Sequence, residues 1–173
     1  MSNAAKITLV LGGARSGKSR YAESLIASLP PPWMYVATAA AGDAEMAERI
    51  ASHRARRGPN WRTIEATHNL DRVLADCKAD AVLVDCLTLW LSNLMLADGA
   101  VEEEMTRVEK ALSSATAPKV LVSNEVGSGI VPDYPLGRRF RDAQGIFNQR
   151  IAALADRVVL VVAGLPVALK GTL

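Results

Sequence analysis

The sequence predicts an α/β fold in which one mainly parallel sheet carries helices on both faces. Three observations lead there. Short apolar runs alternate with longer helix-like stretches from end to end, as strand and crossover-helix units do. Two of the runs, Ala81 to Asp85 (AVLVD) and Val158 to Val162 (VVLVV), are continuously apolar and β-branched, which suits strands covered on both faces and placed centrally. Between the first run and the first helix-like stretch lies a glycine-rich octapeptide, Gly12 to Ser19.

Taken in chain order, Ile7 to Leu11 reads as the first strand and Lys18 to Leu29 as the helix that follows it; Pro30-Pro31-Pro32 stops that helix, because proline has no amide donor and its ring clashes with a continuing turn. Met34 to Thr38 is the second strand. Asp43 to Arg57 reads as a helix ended by Gly58-Pro59, and Trp61 to Glu65 as the third strand. His68 to Lys78 is the next helix, and Ala81 to Asp85 the fourth strand. Leu87 to Ala97 and Glu102 to Ser114 are helices, the second opening on three acids that suit the positive end of a helix dipole. Lys119 to Ser123 is the fifth strand, Leu136 to Asp156 a long helix, and Val158 to Val162 the sixth strand. No repeat or linker divides the chain, so residues 1–173 read as a single domain. Met1 to Ala5 (MSNAA) is small and polar and is expected to be disordered.

Composition narrows the function. At 173 residues, folding hides roughly 70% of the extended-chain surface, enough for an apolar core to hold one domain without staples. A net charge of +2 and eight aromatics, namely three Trp, three Tyr and two Phe, supply neither the clustered cations nor the stacking track of a nucleic-acid binder. Nothing approaches the ~18 consecutive apolar residues of a membrane span, and no secretory leader is visible. Cys77 and Cys86 match neither a zinc spacing nor a redox pair, which argues for a reduced, cytoplasmic protein.

Gly12-Gly13-Ala14-Arg15-Ser16-Gly17-Lys18-Ser19 satisfies G-x-x-x-x-G-K-[ST] in strand-to-helix context. Glycines let the backbone curl so that its amides, with the helix N-terminus, cradle nucleotide phosphates. Lys18 would neutralise the β and γ oxygens, and the Ser19 hydroxyl would ligate Mg²⁺. The expectation is a P-loop NTPase fold that binds a nucleoside triphosphate. The metal needs a second acid, expected to end an apolar strand beside the first. Asp85 is the carboxylate so placed; capping the helix that starts near Leu87 is its other reading, and one residue can do both.

His53 has Arg49 four residues before it and Arg57 four after, which on a helix sets all three along one face. Two guanidiniums would keep the imidazole neutral and nucleophilic. Between Arg49 and Ile64 there are five arginines and no acids, a patch suited to holding a polyphosphate while the histidine attacks phosphorus. Met46 and Ile50 on the same stretch allow a plainer reading, a histidine at the edge of the core beside a solvated arginine face. Asn124 to Gly129 (NEVGSG) follows a strand, where ligands gather in open α/β sheets, or else is a glycine-rich surface loop. Arg138, Arg139 and Arg141 read equally as phosphate contacts or as a solvated row.

Together, GGARSGKS, RIASHRARRGPNWRTIE, LVDCLTLWLSNL and NEVGSGIVPDYPLGRRFRDAQGIFNQRIAALAD resemble the bifunctional adenosylcobinamide kinase / adenosylcobinamide-phosphate guanylyltransferase family from about Ile7 to about Lys170. The resemblance implies phosphorylation of the aminopropanol hydroxyl of adenosylcobinamide by GTP or ATP. Transfer of GMP to the new phosphate follows, through a covalent GMP-histidine, with release of pyrophosphate. It sets His53 as the nucleophile, and nucleotide contacts at Gly12 to Ser19, at Ala37, Thr38 and Ala39, at Arg54, Ala55, Arg56 and Arg57, and at Glu65 and Asp85. Metal ligation falls on Ser19 and Asp85, and a homo-oligomer is implied. Some members carry adjacent histidines where this chain has Ser52-His53, and some a glutamate where it has Asp85, one methylene shorter. A small-molecule kinase without the transferase is the alternative; a regulatory GTPase is disfavoured by the lack of an N-K-x-D segment. Helix Leu87 to Ala97, with Trp90, Leu91, Leu94 and Met95, reads as a subunit contact or as an internal core helix.

Overall fold

The computed structural model describes residues 5–40, 48, 51, 57–77, 79, 81–114 and 116–173. Seven strands form one sheet: β1 (Ile7–Gly12), β2 (Trp33–Ala37), β3 (Trp61–Glu65), β4 (Ala81–Asp85), β5 (Lys119–Asn124), β6 (Arg157–Val162) and β7 (Leu165–Lys170). Their spatial order is β3-β2-β4-β5-β1-β6-β7. All pairs are parallel except β6 with β7. The described helices are α1 (Lys18–Ala27), α2 (Leu70–Asp76), α3 (Leu87–Leu96), α4 (Val101–Ser114) and α5 (Pro135–Leu154).

Alternation along each strand feeds two cores, because successive side chains leave a strand on opposite faces. Leu9 and Leu11 of β1, Val82 and Val84 of β4, and Leu121 of β5 meet α2 to α5 through Leu70, Trp90, Leu91, Val108, Leu112, Phe147 and Ile151. Val10, Leu83, Val122, Val159 and Val161 face the other way and meet Ala22 and Ile26 of α1, with Tyr35 and the half-buried Trp33 and Trp61 extending that layer. Helices therefore cover both faces, as the pattern of apolar runs implies. Helix α3 is an internal core helix: Trp90 and Leu91 are fully buried, and the Trp90 ring lies 5.5 Å from Phe147. The subunit-contact reading of that helix is set aside.

Several expectations need correction. The sixth run is not central but second from the edge, because it pairs on the far side of β1 from β5, with only a seventh strand outside it. Strand β7 was unreadable as such because Pro166 lacks a ladder donor, and proline is tolerated only on an edge; this strand is the edge. It turns back through Ala163 (φ 52) and Gly164 (φ 81), two left-handed residues as a tight two-residue hairpin demands. Helix α2 starts at Leu70 rather than His68, since the His68 carbonyl accepts bonds from Leu70 N and Trp90 Nε1. The proposed helix Asp43 to Arg57 falls almost wholly outside the described residues, as do Met1 to Ala4.

Candidate active site

The carboxyl ends of five parallel strands bring most of the nominated residues into one row. Register pairs Glu65 with Ala37, Ala37 with Asp85, and Gly12 with Asn124. Asp85 pairs with Val122, two residues before Asn124. Strand β5 thus stands between β1 and β4, and the acid is one strand removed from the phosphate loop, not beside it as expected. Asn124 fills the place between them. Nothing local in AVLVD could have revealed this, because strand order is a property of the crossovers.

The loop after β1 is shaped by glycine. A Cβ on Gly12 would run into Ser16 Oγ and come within 2.7 Å of the Val161 carbonyl oxygen. Gly17, the N-cap of α1, holds φ 95, and a Cβ there would meet the Gly164 Cα at 3.2 Å. Arg15 is also left-handed, at φ 56. The turn closes with Ser16 N donating to Gly13 O, and no side chain caps α1 among the described residues. The first-turn amides and the positive dipole end are therefore presented where an anion can use them. Lys18 Nζ donates to Gly13 O at 3.1 Å, across the mouth of the loop, and Ser19 lies in the first turn of α1.

Neighbouring elements brace this cradle. Gly164 N donates to Ser16 O from the β6–β7 turn, and Glu125 N donates to Gly12 O from the loop after β5. Glu125 Oε1 accepts from Gly127 N at 2.7 Å, closing its own loop. Beneath Asn124 lies a buried polar cluster absent from the sequence reading. Ser123 Oγ donates to Asn148 Oδ1 (2.6 Å), Gln144 Nε2 reaches both, Asn148 Nδ2 donates to Asn124 O, and Asn124 N donates to Thr88 Oγ1. Its only signal in the sequence is Gln144 and Asn148 at helical spacing on an otherwise apolar face of α5. Arg138 donates to the carbonyls of Pro132 and Asp133, and Arg141 pairs with Asp142.

At the other end of the row, Asp85 closes β4 half-buried and accepts a 3.1 Å bond from Tyr35 Oη. The N-cap of α3 is Cys86, without a side-chain capping bond, so the capping reading of Asp85 is not what the fold uses. Thr38 is fully buried; its hydroxyl donates to Cys86 O and accepts from Cys86 N, both at 2.7 Å, locking the ends of β2 and β4 together. Asn93 Nδ2 holds Thr38 O from α3. The Arg57 guanidinium lies 3.5 Å above the Tyr35 ring. Burial and the Asp85 charge push the Tyr35 phenol far up, and burial likewise raises the Cys86 thiol to about 11.

Among the described residues no three His, Cys, Asp or Glu gather into a metal cage. One hydroxyl and one carboxylate, both hard oxygens, suit a cation held chiefly by phosphates and water, as Mg²⁺ is.

A model of the cobinamide kinase / cobinamide phosphate guanyltransferase family matches residues 8–169. The chain belongs to this family. It is 49% identical over 168 residues to the bifunctional adenosylcobalamin biosynthesis protein CobP of Pseudomonas aeruginosa, covering 94% of this chain and 96% of that one. With the proteins of the same description named CobU, identity is 44% for Salmonella typhimurium and 42% for Escherichia coli, each covering 94% of this chain and 98% of the relative.

Among solved structures the chain is similar to a prototypical ATPase from a bacterial type III secretion system, with a TM-score of 0.56 and 9% identity over 94% of this chain and 56% of that one. A Pyrococcus horikoshii protein gives 0.51 at 10% identity, covering 97% of this chain and 87% of its own. These likenesses are of fold, and the fold is that of a P-loop NTPase.

Of the positions that family resemblance nominates, Gly12 to Ser19, Ala37, Thr38, Ala39, Glu65 and Asp85 sit along the row or its immediate flank. Arg57 is half-buried over Tyr35. His53, Arg54, Ala55 and Arg56 lie outside the described residues. No described helix is long and apolar enough to cross a membrane.

Proposed function

We propose that this member of the cobinamide kinase / guanyltransferase family catalyses both steps. It phosphorylates the aminopropanol hydroxyl of adenosylcobinamide with GTP or ATP, then transfers GMP from GTP to adenosylcobinamide phosphate through His53. The products are adenosylcobinamide-GDP and pyrophosphate. The observation that carries this reading is a braced phosphate cradle in register with Asn124 and Asp85, in a chain matched by the family model from residue 8 to 169.

Gly12 to Ser19 bind the triphosphate through backbone amides, and Lys18 swings from Gly13 O onto the β and γ oxygens. Ser19 and Asp85 are the residues that would hold Mg²⁺, which when bound neutralises charge on the phosphate oxygens. Ala37, Thr38, Ala39 and Glu65 border the nucleotide through the ends of β2 and β3. In the first step the substrate hydroxyl attacks the γ-phosphorus and breaks its bond to the β-bridging oxygen. In the second, a neutral ring nitrogen of His53 attacks the α-phosphorus, pyrophosphate leaves, and a phosphoramidate forms that the cobinamide phosphate oxygen then cleaves. Arg54, Arg56 and Arg57 balance the charge of the pyrophosphate. Ala55 is proposed among the nucleotide contacts by its place in the family's segment.

Free thiols at Cys77 and Cys86 support a cytoplasmic enzyme. The exposed Leu165, Val167 and Leu169 on edge strand β7 support a homo-oligomer. Incubation with Mg²⁺ and α-labelled GTP, followed by denaturation, tests the transferase. Acid-labile, alkali-stable label on wild type and none on His53→Ala is the expected result. Wild type that binds GTP but takes no label would leave a kinase alone.

A further inference from the structure

We propose that Tyr35 is a positioning residue shared by the two phosphorus-transfer steps, its hydroxyl orienting Asp85 and its ring seating Arg57; the inference rests on the function proposed above. Tyr35 is 4% exposed on β2, on the α1 face of the sheet. Its ring is fixed by an edge-on Trp61 at 6.2 Å, and Trp61 is held in turn by Trp33 at 5.2 Å. Trp33 is anchored through Nε1 to Leu29 O at 3.0 Å. Packing therefore sets where both the hydroxyl and the open ring face point.

The hydroxyl donates to Asp85 Oδ2 at 3.1 Å, which fixes the orientation of the carboxylate that the metal's water shell would meet. The open face carries the Arg57 guanidinium at 3.5 Å, a cation–π seat inside a half-buried site. Arg57 is four residues after His53, and four peptide units span at most about 14 Å. Seating Arg57 thus keeps His53 within that reach of Tyr35 by chain length alone. A tyrosine that served packing alone would need no hydroxyl, and here that hydroxyl meets the acid ending β4.

The test uses the full chain and three variants: Tyr35→Phe, Tyr35→Leu and Arg57→Lys. Readouts are kinase turnover against Mg²⁺, yield of GMP-histidine in a single turnover, and Mg²⁺ affinity by calorimetry with a non-hydrolysable GTP analogue. Tyr35→Phe loses one hydrogen bond to a carboxylate and should weaken Mg²⁺ binding and raise its apparent KM about tenfold, with the ratio of labelling to kinase rate unchanged. Tyr35→Leu loses the ring as well and should lower that ratio about fivefold further. Should Tyr35→Leu not fold, Arg57→Lys decides the same point, since an ammonium does not stack as a planar guanidinium does. It should lower labelling and spare the Mg²⁺ affinity.

Unchanged Mg²⁺ affinity in Tyr35→Phe, or a ratio of labelling to kinase rate no lower in Tyr35→Leu than in Tyr35→Phe, would reduce Tyr35 to a structural role. Absence of label on wild type refutes the transferase itself before any variant is compared, and the shared role falls with it. Tyr35→Phe would then still separate an Asp85-orienting hydroxyl from a packing one.

Discussion

Gly164 N donates a 2.8 Å hydrogen bond to Ser16 O, so the turn of an antiparallel hairpin holds the phosphate loop from outside. Gly164 sits at φ 81 with open space where a Cβ would go. Gly164→Ala should therefore act through backbone strain alone, costing about 1–2 kcal/mol. Thermal unfolding should show that loss, and calorimetry a weaker GTP affinity. Unaltered GTP affinity would mean that the hairpin does not brace the loop.

Lys18→Ala removes the ammonium proposed to neutralise the β and γ oxygens, so its loss should fall on catalysis far more than on the unfolding midpoint. Kinase turnover should fall about 10²- to 10³-fold, the usual loss for one donor to a charged transition state. Steady-state kinetics beside a melting curve checks both halves; a large stability loss would make Lys18 a structural residue.

Core helix α3 predicts a graded pair. Trp90→Phe keeps an aromatic ring against Phe147 but drops the bond from Nε1 to His68 O, costing about 1–3 kcal/mol. Trp90→Ala should cost about 3–5 kcal/mol. Chemical denaturation of both variants measures the difference, and an unchanged stability in Trp90→Phe would show that the indole bond contributes nothing.

How much of this was legible beforehand differs from residue to residue. Gly12 to Ser19 carry their own context, because a strand, a turn and a helix are all visible around them in one short stretch. Leu9, Val10 and Leu11 announce a two-faced strand by composition. Asp85 was found as the acid closing a strand, yet its distance from β1 depends on where β5 inserts, which no local pattern encodes. Tyr35 passed as one apolar residue among MYVAT, since its meaning lies in Asp85 and Arg57, 50 and 22 positions away. Leu165 to Lys170 hid because a proline and an exposed edge erase the usual strand signature.

Two titrations follow from burial. Lys119 is 2% exposed, and burial lowers its pKa from the usual 10.5. Between the lowered value and 10.5 the unfolded chain binds the extra proton, so this group makes stability rise with pH there. Lys119→Met should accordingly stabilise at pH 7, by an amount that fades as pH approaches 10.5. Denaturation of both proteins across that range checks the sign, and a constant difference would refute it.

The Cys86 thiol, raised to about 11 and buried, should resist alkylation at pH 8, whereas the half-buried Cys77 should react. Mass spectrometry before and after unfolding distinguishes them. Native labelling of Cys86 would show that β4 and α3 part readily.

The bond from Lys18 to Gly13 O also bears on speed. An incoming phosphate asks this side chain to exchange one oxygen for another by rotating a few single bonds, a nanosecond event. The braces from Gly164 and Glu125 already give the backbone its final curl. Nucleotide capture at this loop should then run at the pace of encounter, leaving any slow phase in catalysis to the arrival or departure of the larger substrate.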